Sequence, residues 1–201
     1  MIGFYNLSVI LTYLSAVCAV TGIFMSVTQN FNLAVGLFAL GTVCDFFDGK
    51  VARCFDRSDE EKLFGVQIDS LCDVINNAVF PAAYFYIWGF RDPVSIVIFS
   101  VYVVCAVIRL AYFNVIETRD MSSHSDYFLG VPTTAIIILM IILHIVKIYY
   151  GDFPKMLVQI SMLTLGISFI LNIRVKKIGF KSFGFLLVVG LACYLKLLGV
   201  Y

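Results

Sequence analysis

The chain has 201 residues, of which 61% are hydrophobic and 13% are charged, and its mean hydropathy is +0.98. An average soluble domain is about 45–50% apolar and about 25% charged. The chain therefore has too little polar surface to coat its apolar mass in water, which excludes a soluble domain, a disordered chain and a disulfide-stapled secreted fold. Its net charge of only +1 also excludes a nucleic-acid partner, because a polyanion requires a broad basic surface.

Apolar stretches of nearly membrane-spanning length, about 20 residues, follow one another along the whole chain. They predict an all-α integral membrane protein: a bundle of six core transmembrane helices plus a shorter seventh at the C-terminus, forming a single domain over residues 1–201. Gly and Pro mark turns at residues 89–93 and 151–154. The seven stretches cover residues 8–27, 33–52, 64–88, 94–115, 131–150, 156–173 and 183–198.

Lysine and arginine are unevenly distributed between the two sides of this predicted bundle. If the N-terminus is cytoplasmic, the loops at 54–63, 117–130 and 174–182 face inward, and ten of the fourteen basic residues lie in or beside them. The positive-inside rule then predicts a multi-pass protein of the cell membrane with these loops in the cytoplasm. The inward residues are Lys50, Arg53, Arg57, Lys62, Arg109, Arg119, Arg174, Lys176, Lys177 and Lys181, and the outward ones are Arg91, Lys147, Lys155 and Lys196.

The first inward loop ends in a helix-start signal. In Ser58-Asp59-Glu60-Glu61, the Ser58 side chain can cap the Glu61 amide while the Glu61 side chain reaches back to Ser58. We therefore expect the third helix to begin near Ser58 and to run from the cytoplasm into the membrane.

Four carboxylates lie inside the second and third apolar stretches, where each costs ~2.5–3.5 kcal/mol at the centre of a spanning helix. Asp45 and Asp48 are three residues apart and Asp69 and Asp73 are four apart, so each pair occupies one helix face. Because the two helices are antiparallel, both pairs lie at a similar depth. Several clustered oxygen ligands predict Mg²⁺ or Mn²⁺, with two ions favoured by the number of carboxylates.

Two alternatives to a metal site stay open for the four acids. The acids could pair between helices with Lys50, Arg53 or Lys62, although such pairing would account for one or two acids rather than two facing pairs. The protein could also be a cation-coupled carrier, whose intramembrane acids relay protons or bind Na⁺. Carrier sites usually lie near the midplane on broken helices, whereas these acids lie toward one leaflet.

The acids belong to a longer pattern that resembles the signature of the CDP-alcohol phosphatidyltransferases. All eight defining positions are present. The only difference from the family pattern is the segment between Arg53 and Gly65, which has eleven residues where the family usually has eight. The three extra residues lengthen the inward loop. The pattern reads Asp45-x-x-Asp48-Gly49-x-x-Ala52-Arg53, then eleven residues, then Gly65-x-x-x-Asp69-x-x-x-Asp73.

Flanking segments are similar to the phosphatidylserine synthase branch of that family. Ser70 stands where branches using glycerol phosphate tend to have Pro. Two segments differ from the branch pattern by one residue each: Tyr112 replaces an Arg and Val131 replaces a Leu. The similar segments are Asp69-Ser70-Leu71-x-Asp73, Phe80-Pro81-Ala82, Arg109-Leu110-Ala111-Tyr112-Phe113-Asn114 and Tyr127-Phe128-Leu129-Gly130-Val131-Pro132.

The resemblance implies transfer of a phosphatidyl group from a CDP-linked lipid to L-serine with release of CMP, within membrane lipid and in a homodimer. The lipid tails, diacyl or ether-linked isoprenoid, stay open. By resemblance, the metal ligands are Asp45, Asp48 and Asp69, and Asp73 is the base and an additional metal contact. The predicted CDP-lipid site comprises Gly49, Ala52 and Gly65, whose small side chains let the nucleotide approach the backbone, and Arg53, which supplies a cation for a phosphate.

The predicted serine pocket comprises Arg109, Asn76, Asn77 and Asn114. An intramembrane arginine is a functional candidate, but Arg109 could instead snorkel to the headgroups or pair with one of the acids. The asparagines could equally hydrogen-bond between helices. Sister enzymes that use glycerol phosphate or inositol phosphate should require several basic residues near the site. Arg109 is the clear inner candidate, which favours serine.

Overall fold

The computed structural model describes residues 3–5, 7–119, 127–151 and 154–176. The predicted seventh helix at 183–198 lies outside the described residues, as do positions 120–126 and 177–182 of the predicted inward loops.

Six of the predicted apolar stretches coincide with helical structure, so the all-α architecture is confirmed. The third stretch contains three elements in unbroken succession: a helix, a π-helical turn at Val74–Val79 and a second helix. Both predicted turns separate helices. The helices are α1 (Leu7–Val27), α2 (Phe31–Ala52), α3 (Asp59–Asp73), α4 (Phe80–Trp88), α5 (Pro93–Arg119), α6 (Ile136–Tyr150) and α7 (Lys155–Ile170).

The outer surface of the bundle is apolar. Phe24, Val97 and Met156, on three different helices, are each at least 60% exposed. Continuous apolar surface of this kind is stable against hydrocarbon and not against water, and helices satisfy their own backbone hydrogen bonds there. The chain is thus an all-α membrane protein. Among the residues that the structure describes, the helical segments long and apolar enough to cross a membrane are Val9–Val27, Phe31–Ala52 and Pro93–Ile116.

The helices pack around a core of aromatic side chains. α1 lies along α2 and also contacts α3 and α4, while α5 packs against α7 and α6 against α2. Phe38 of α2 stacks on Phe80 of α4, with ring centroids 4.7 Å apart. Gly22 of α1 faces this pair, and a Cβ there would come within 2.6 Å of the Phe80 ring. The glycine therefore permits the close approach of α1 to α2 and α4.

The start of α3 confirms the predicted capping box. Ser58 Oγ accepts a hydrogen bond from the Glu61 amide at 3.2 Å, and the Ser58 amide donates to Glu61 Oε2 at 2.9 Å. Asp59 at the first helical position forms an ion pair with Lys62 at 2.9 Å. α3 therefore begins in the polar loop, five residues before the apolar stretch itself.

The helical rod formed by α3, the π turn and α4 spans residues 59–88, and Asp92 fixes the turn that follows its far end. The carboxylate accepts hydrogen bonds from the Ser95 hydroxyl at 2.7 Å and the Ser95 amide at 3.0 Å, and these bonds hold the pKa of Asp92 below its ordinary value. Gln159 of α7 donates to both Asp92 and the Ser95 hydroxyl. The start of α5 is thereby attached to α7, consistent with the packing of these two helices.

A short antiparallel strand pair, which the sequence did not predict, joins the segment before α6 to the segment after α7. β1 (Tyr127–Leu129) pairs with β2 (Arg174–Lys176). The pairing continues at Gly130, whose amide donates to the Ile173 carbonyl at 2.8 Å and whose φ is +72°. A Cβ at Gly130 would lie 2.5 Å from a backbone oxygen. Three-residue strands carry too little alternation to be recognised in the sequence.

Candidate active site

Helices α2 and α3 bring three of the predicted acids together. One carboxylate oxygen from each of Asp45, Asp48 and Asp69 can be chosen so that all three oxygens lie within 4.8 Å of one another. The short loop between α2 and α3 makes the helices antiparallel, so Asp45 and Asp48 near the end of α2 meet Asp69 in the second half of α3. Asp45, Asp48 and Asp69, which are separated in the sequence, therefore form a single cluster in the structure.

Helix α1 contributes a residue to this cluster that the sequence analysis missed. The hydroxyl of Thr12, which is 3% exposed, donates a 2.6 Å hydrogen bond to Asp48 Oδ2. This bond orients the Asp48 carboxylate from α1. A threonine within an apolar run was the only available signal, and threonine is common enough in membrane helices to give no specific warning.

The donor set of the cluster fits a hard divalent cation. All three side chains offer carboxylate oxygens, the ligands that Mg²⁺ and Mn²⁺ prefer. Asp45 Oδ1 is buried with no hydrogen-bond partner among the described residues. A buried acceptor without a donor costs about 1–3 kcal/mol, and a cation held between the carboxylates would remove that cost.

Asp73 lies one helical turn beyond Asp69 along α3. Its carboxylate lies next to that of Asp45. Its Oδ1 accepts a 2.6 Å hydrogen bond from the Asn77 side-chain amide. Asp73 is thus adjacent to the three-acid cluster but is oriented by its own partner, which gives it an environment distinct from those of the other acids.

Arg109 of α5 is buried within electrostatic reach of Asp73. The residue is only 8% exposed, its guanidinium attracts the Asp73 carboxylate, and the group lies 4.6 Å from the centroid of the Phe113 ring. Its Nε atom is buried with no hydrogen-bond partner among the described residues. The guanidinium therefore retains donor capacity beside Asp73, in a setting where a solute anion would be attracted.

The three predicted asparagines occupy different environments. Asn77 binds Asp73, as described above. Asn114 accepts a 2.6 Å hydrogen bond from Ser70, which links α5 to α3 one turn nearer the loop than Asp73. Asn76 faces α2 instead, where its amide lies 3.5 Å from the Thr42 hydroxyl. The structure therefore groups Asn77 and Arg109 around Asp73 and places Asn76 in a helix–helix contact.

The rim of the site is formed by the glycines and arginines of the motif. A Cβ at Gly49 would meet no atom within 4 Å, so this face of α2 borders open space. Exposed Arg53 folds back and donates from Nε to the Gly49 carbonyl at 3.0 Å. A Cβ at Gly65 would lie 3.3 Å from the Arg57 guanidinium, a contact the sequence did not indicate. Ala52 is buried and acts through packing.

The three basic residues weighed as interhelical partners of the acids have other contacts in the structure. Lys62 forms its ion pair with Asp59, outside the cluster. Arg53 is hydrogen-bonded to the α2 backbone. Lys50 lies 6.0 Å from the centroid of the Phe47 ring. The printed partners of Lys62 and Arg53 thus lie outside the acidic cluster.

Comparison with known proteins agrees with the geometry. The sequence profile of the CDP-alcohol phosphatidyltransferases matches residues 5–174. A Mycobacterium tuberculosis protein named CDP-diacylglycerol–serine O-phosphatidyltransferase is 33% identical over 146 residues, which is 71% of this chain and 50% of that protein. A Helicobacter pylori protein of the same name is 30% identical over 156 residues, 76% of this chain and 64% of that protein.

An archaeal relative covers more of both chains. The archaetidylserine synthase of Methanothermobacter thermautotrophicus is 30% identical over 179 residues, which is 88% of this chain and 73% of that protein. The mycobacterial alignment, in contrast, spans half the length of the relative. With the profile match extending from α1 to the start of β2 and including both halves of the acidic motif, the chain belongs to the CDP-alcohol phosphatidyltransferase family.

Proposed function

We propose that the protein transfers a phosphatidyl group, or its ether-linked equivalent, from a CDP-linked lipid to the hydroxyl of L-serine and releases CMP. The observation that carries the proposal is the acidic cluster of α2 and α3 with Asp73, Asn77 and Arg109 directly beyond it. The names of the mycobacterial, Helicobacter and archaeal relatives support serine as the acceptor.

Asp73 is the group we assign as general base. A serine hydroxyl is a weak nucleophile at neutral pH and requires a base to take its proton as the new P–O bond forms. The Asn77 amide holds one carboxylate oxygen of Asp73 at 2.6 Å. The other oxygen can then accept the proton while CMP departs with the electrons of the broken P–O bond. Loss of the proton from serine and of CMP from the lipid balances the transfer.

Asp45, Asp48 and Asp69 are the residues we assign as metal ligands, with Asp73 able to contact a second ion through its position beside Asp45. Two bound Mg²⁺ or Mn²⁺ ions would supply positive charge to the diphosphate of the substrate. The open face of Gly49 allows the nucleotide to approach the α2 backbone, and the Arg53 and Arg57 guanidinium groups lie at that rim to bind phosphate oxygens.

Arg109 is our candidate partner for the carboxylate of serine. Among the residues that the structure describes, it is the one buried lysine or arginine. A glycerol phosphate or inositol phosphate acceptor carries a dianionic group, which favours several cations, whereas the single carboxylate of serine requires one. Asn77, which is bonded to Asp73, and Asn114, which is bonded to Ser70, complete the proposed pocket.

The decisive experiment offers the purified protein CDP-lipid, Mg²⁺ or Mn²⁺, and L-serine, glycerol phosphate or inositol phosphate in parallel. We expect CMP release only when L-serine is the acceptor. Release with a phosphorylated acceptor would identify a sister enzyme of the same family. No CMP release with any acceptor would favour a cation-coupled carrier.

The proposed site opens toward the cytoplasm. In a protein with its six native cysteines replaced by alanine, an Asp59→Cys variant should react with an impermeant thiol reagent only in inside-out vesicles. Arg91→Cys is the matched control, because it lies past the far end of the 59–88 helical rod, about 45 Å away at 1.5 Å per residue. It should react only in right-side-out vesicles. The reverse labelling pattern would invert the topology.

We further propose that the protein acts as a homodimer in the cell membrane and that residues 1–201 form one domain. The single domain is supported by the matched profile, which runs through all the described helices, and the homodimer is proposed from the family resemblance alone. Crosslinking in native membranes, followed by mass determination, measures the assembly directly.

A further inference from the structure

The π-helical turn after Asp73 has an identifiable cause in the sequence. In a regular α-helix the Asn77 carbonyl would accept a hydrogen bond from the amide of residue 81, four positions later. Residue 81 is a proline, which has no amide hydrogen and whose ring crowds that same carbonyl. The helix is π-helical over Val74–Val79, and the Phe80 amide bonds to the Ile75 carbonyl five residues back. Pro81 therefore leaves Asn77 without its usual backbone donor.

A tyrosine from another helix supplies a donor to this carbonyl. The hydroxyl of Tyr102 on α5 donates a 2.6 Å hydrogen bond to the Asn77 carbonyl oxygen, and the tyrosine is fully buried. Its ring packs against α7, where a Cβ at Gly166 would lie 3.1 Å from the Tyr102 Cα. A firmly packed tyrosine thus donates its hydroxyl hydrogen to the carbonyl four residues before Pro81.

Asn77 is consequently held at both ends. Its carbonyl accepts from Tyr102, and its side-chain amide donates to Asp73 Oδ1, both at 2.6 Å. The Asn77 side chain is entirely buried, so water does not compete for either bond. A displacement of the π turn would move the Asn77 amide and with it the orientation of the Asp73 carboxylate.

We propose that Tyr102 is a positioning residue for Asp73, acting through the Asn77 backbone to hold the amide that orients the carboxylate. The inference rests on the proposed role of Asp73 as general base. It assigns the Pro81–Tyr102 pair a part in the reaction, although Tyr102 lies on a different helix from the acids and has no direct bond to any of them. Tyr102 is outside the acidic motif and outside the predicted serine pocket.

The alternative is that Tyr102 only stabilises the bundle. Tyr102→Phe removes the hydroxyl and leaves the packed ring in place. Tyr84→Phe is the matched control, since Tyr84 is also fully buried and its hydroxyl bonds to His144 at 2.7 Å, near the other end of the bundle. We expect both variants to unfold at a lower temperature than the wild type, because each leaves a buried polar group without its partner.

Only Tyr102→Phe should affect the reaction. We expect its kcat for CMP release to fall about 10- to 100-fold, as for small displacements of a reacting group, with KM for the CDP-lipid nearly unchanged. Tyr84→Phe should retain wild-type kcat. Equal kcat values in Tyr102→Phe and Tyr84→Phe would reduce Tyr102 to a structural role and overturn the proposal.

A double-mutant cycle tests whether the effect passes through Asn77. If Tyr102 acts by holding Asn77, then Tyr102→Phe should lower kcat in the wild type and have little further effect in Asn77→Ala. Independent, multiplicative losses in the double variant would mean that Tyr102 acts by another route, which contradicts the proposal.

A spectroscopic measurement separates this inference from the proposed activity. In protein with ¹⁵N-labelled asparagine, the Asn77 side-chain amide resonance can be assigned by its loss in Asn77→Ala. It should shift in Tyr102→Phe and stay in place in Tyr84→Phe, without any substrate. An unshifted resonance in Tyr102→Phe overturns the positioning role. A shifted resonance combined with no serine-dependent CMP release in the wild type overturns the proposed function alone.

Discussion

Asp73→Asn is expected to reduce serine-dependent CMP release by 10²–10⁴-fold while leaving CDP-lipid binding largely intact. Loss of a general base typically has an effect of about this size, corresponding to about 3–5 kcal/mol in the barrier. Asparagine preserves the shape of the side chain but cannot take the hydroxyl proton as a carboxylate does. Because Asp73 lies beyond the three-acid cluster, the proposed ions and the substrate diphosphate should keep their main contacts.

The measurement is paired: CDP-lipid binding is titrated with metal present, and turnover is then measured in the same preparation. Asp59→Asn is the matched control, since it makes the same chemical change on the same helix at an exposed position paired with Lys62. It should behave as the wild type in both assays. Near-normal turnover in Asp73→Asn would assign the base to another group, and loss of CDP-lipid binding would identify Asp73 chiefly as a metal ligand.

Much of the fold could be predicted because the length of an apolar segment, and the turn and capping residues at its ends, are local properties of the sequence. The helix start at Ser58 follows from two side chains, Ser58 and Glu61, and the capping box appears in the structure as expected. The acidic cluster follows from two helix-face spacings and one short antiparallel connection. Each of these inferences needs only the helical period and the order of elements along the chain.

The contacts that escaped prediction depend on how helices distant in the sequence meet. Nothing near Thr12 indicates that α1 will place its hydroxyl on Asp48, 36 positions later. That contact exists because α1 packs closely along α2. In the same way, Tyr102 reaches Asn77 only through the packing of α5 against the π turn.

The divergence of Asn76 and Asn77 shows where helical periodicity itself fails. At three and four residues after Asp73, both should lie on the Asp73 face of a regular α-helix. The π turn changes the angle between successive residues just after Asp73, and only Asn77 meets the carboxylate, while Asn76 turns to Thr42 on α2. Pro81 was visible in the sequence, and its effect on the preceding turn accounts for the separation of the two adjacent amides.

Asp45→Asn and Asp69→Asn are expected to fail differently from Asp73→Asn, because they remove charge from the proposed metal ligands. We expect Mn²⁺ affinity and CDP-lipid affinity to fall together by at least about 100-fold, which exceeds the 10–100-fold typical of outer-shell changes. Turnover should be lost with them. Mn²⁺ binding is measured directly by electron paramagnetic resonance on the protein without substrate, and CDP-lipid binding is then titrated with and without the ion.

Thr12→Val provides a graded comparison at the same cluster. It keeps the shape of the side chain and removes the 2.6 Å hydrogen bond to Asp48, so the carboxylate remains but is less firmly oriented. Such a change typically lowers metal affinity by about 10-fold or somewhat more, a smaller effect than loss of a ligand. The order wild type, Thr12→Val, Asp69→Asn in Mn²⁺ affinity should recur in CDP-lipid affinity, because the proposed ions join the carboxylates to the diphosphate. Unimpaired CDP-lipid binding in Asp69→Asn, or full turnover in excess chelator, would contradict a metal-dependent site, since four clustered carboxylates would then bind the anionic substrate with no cation between them.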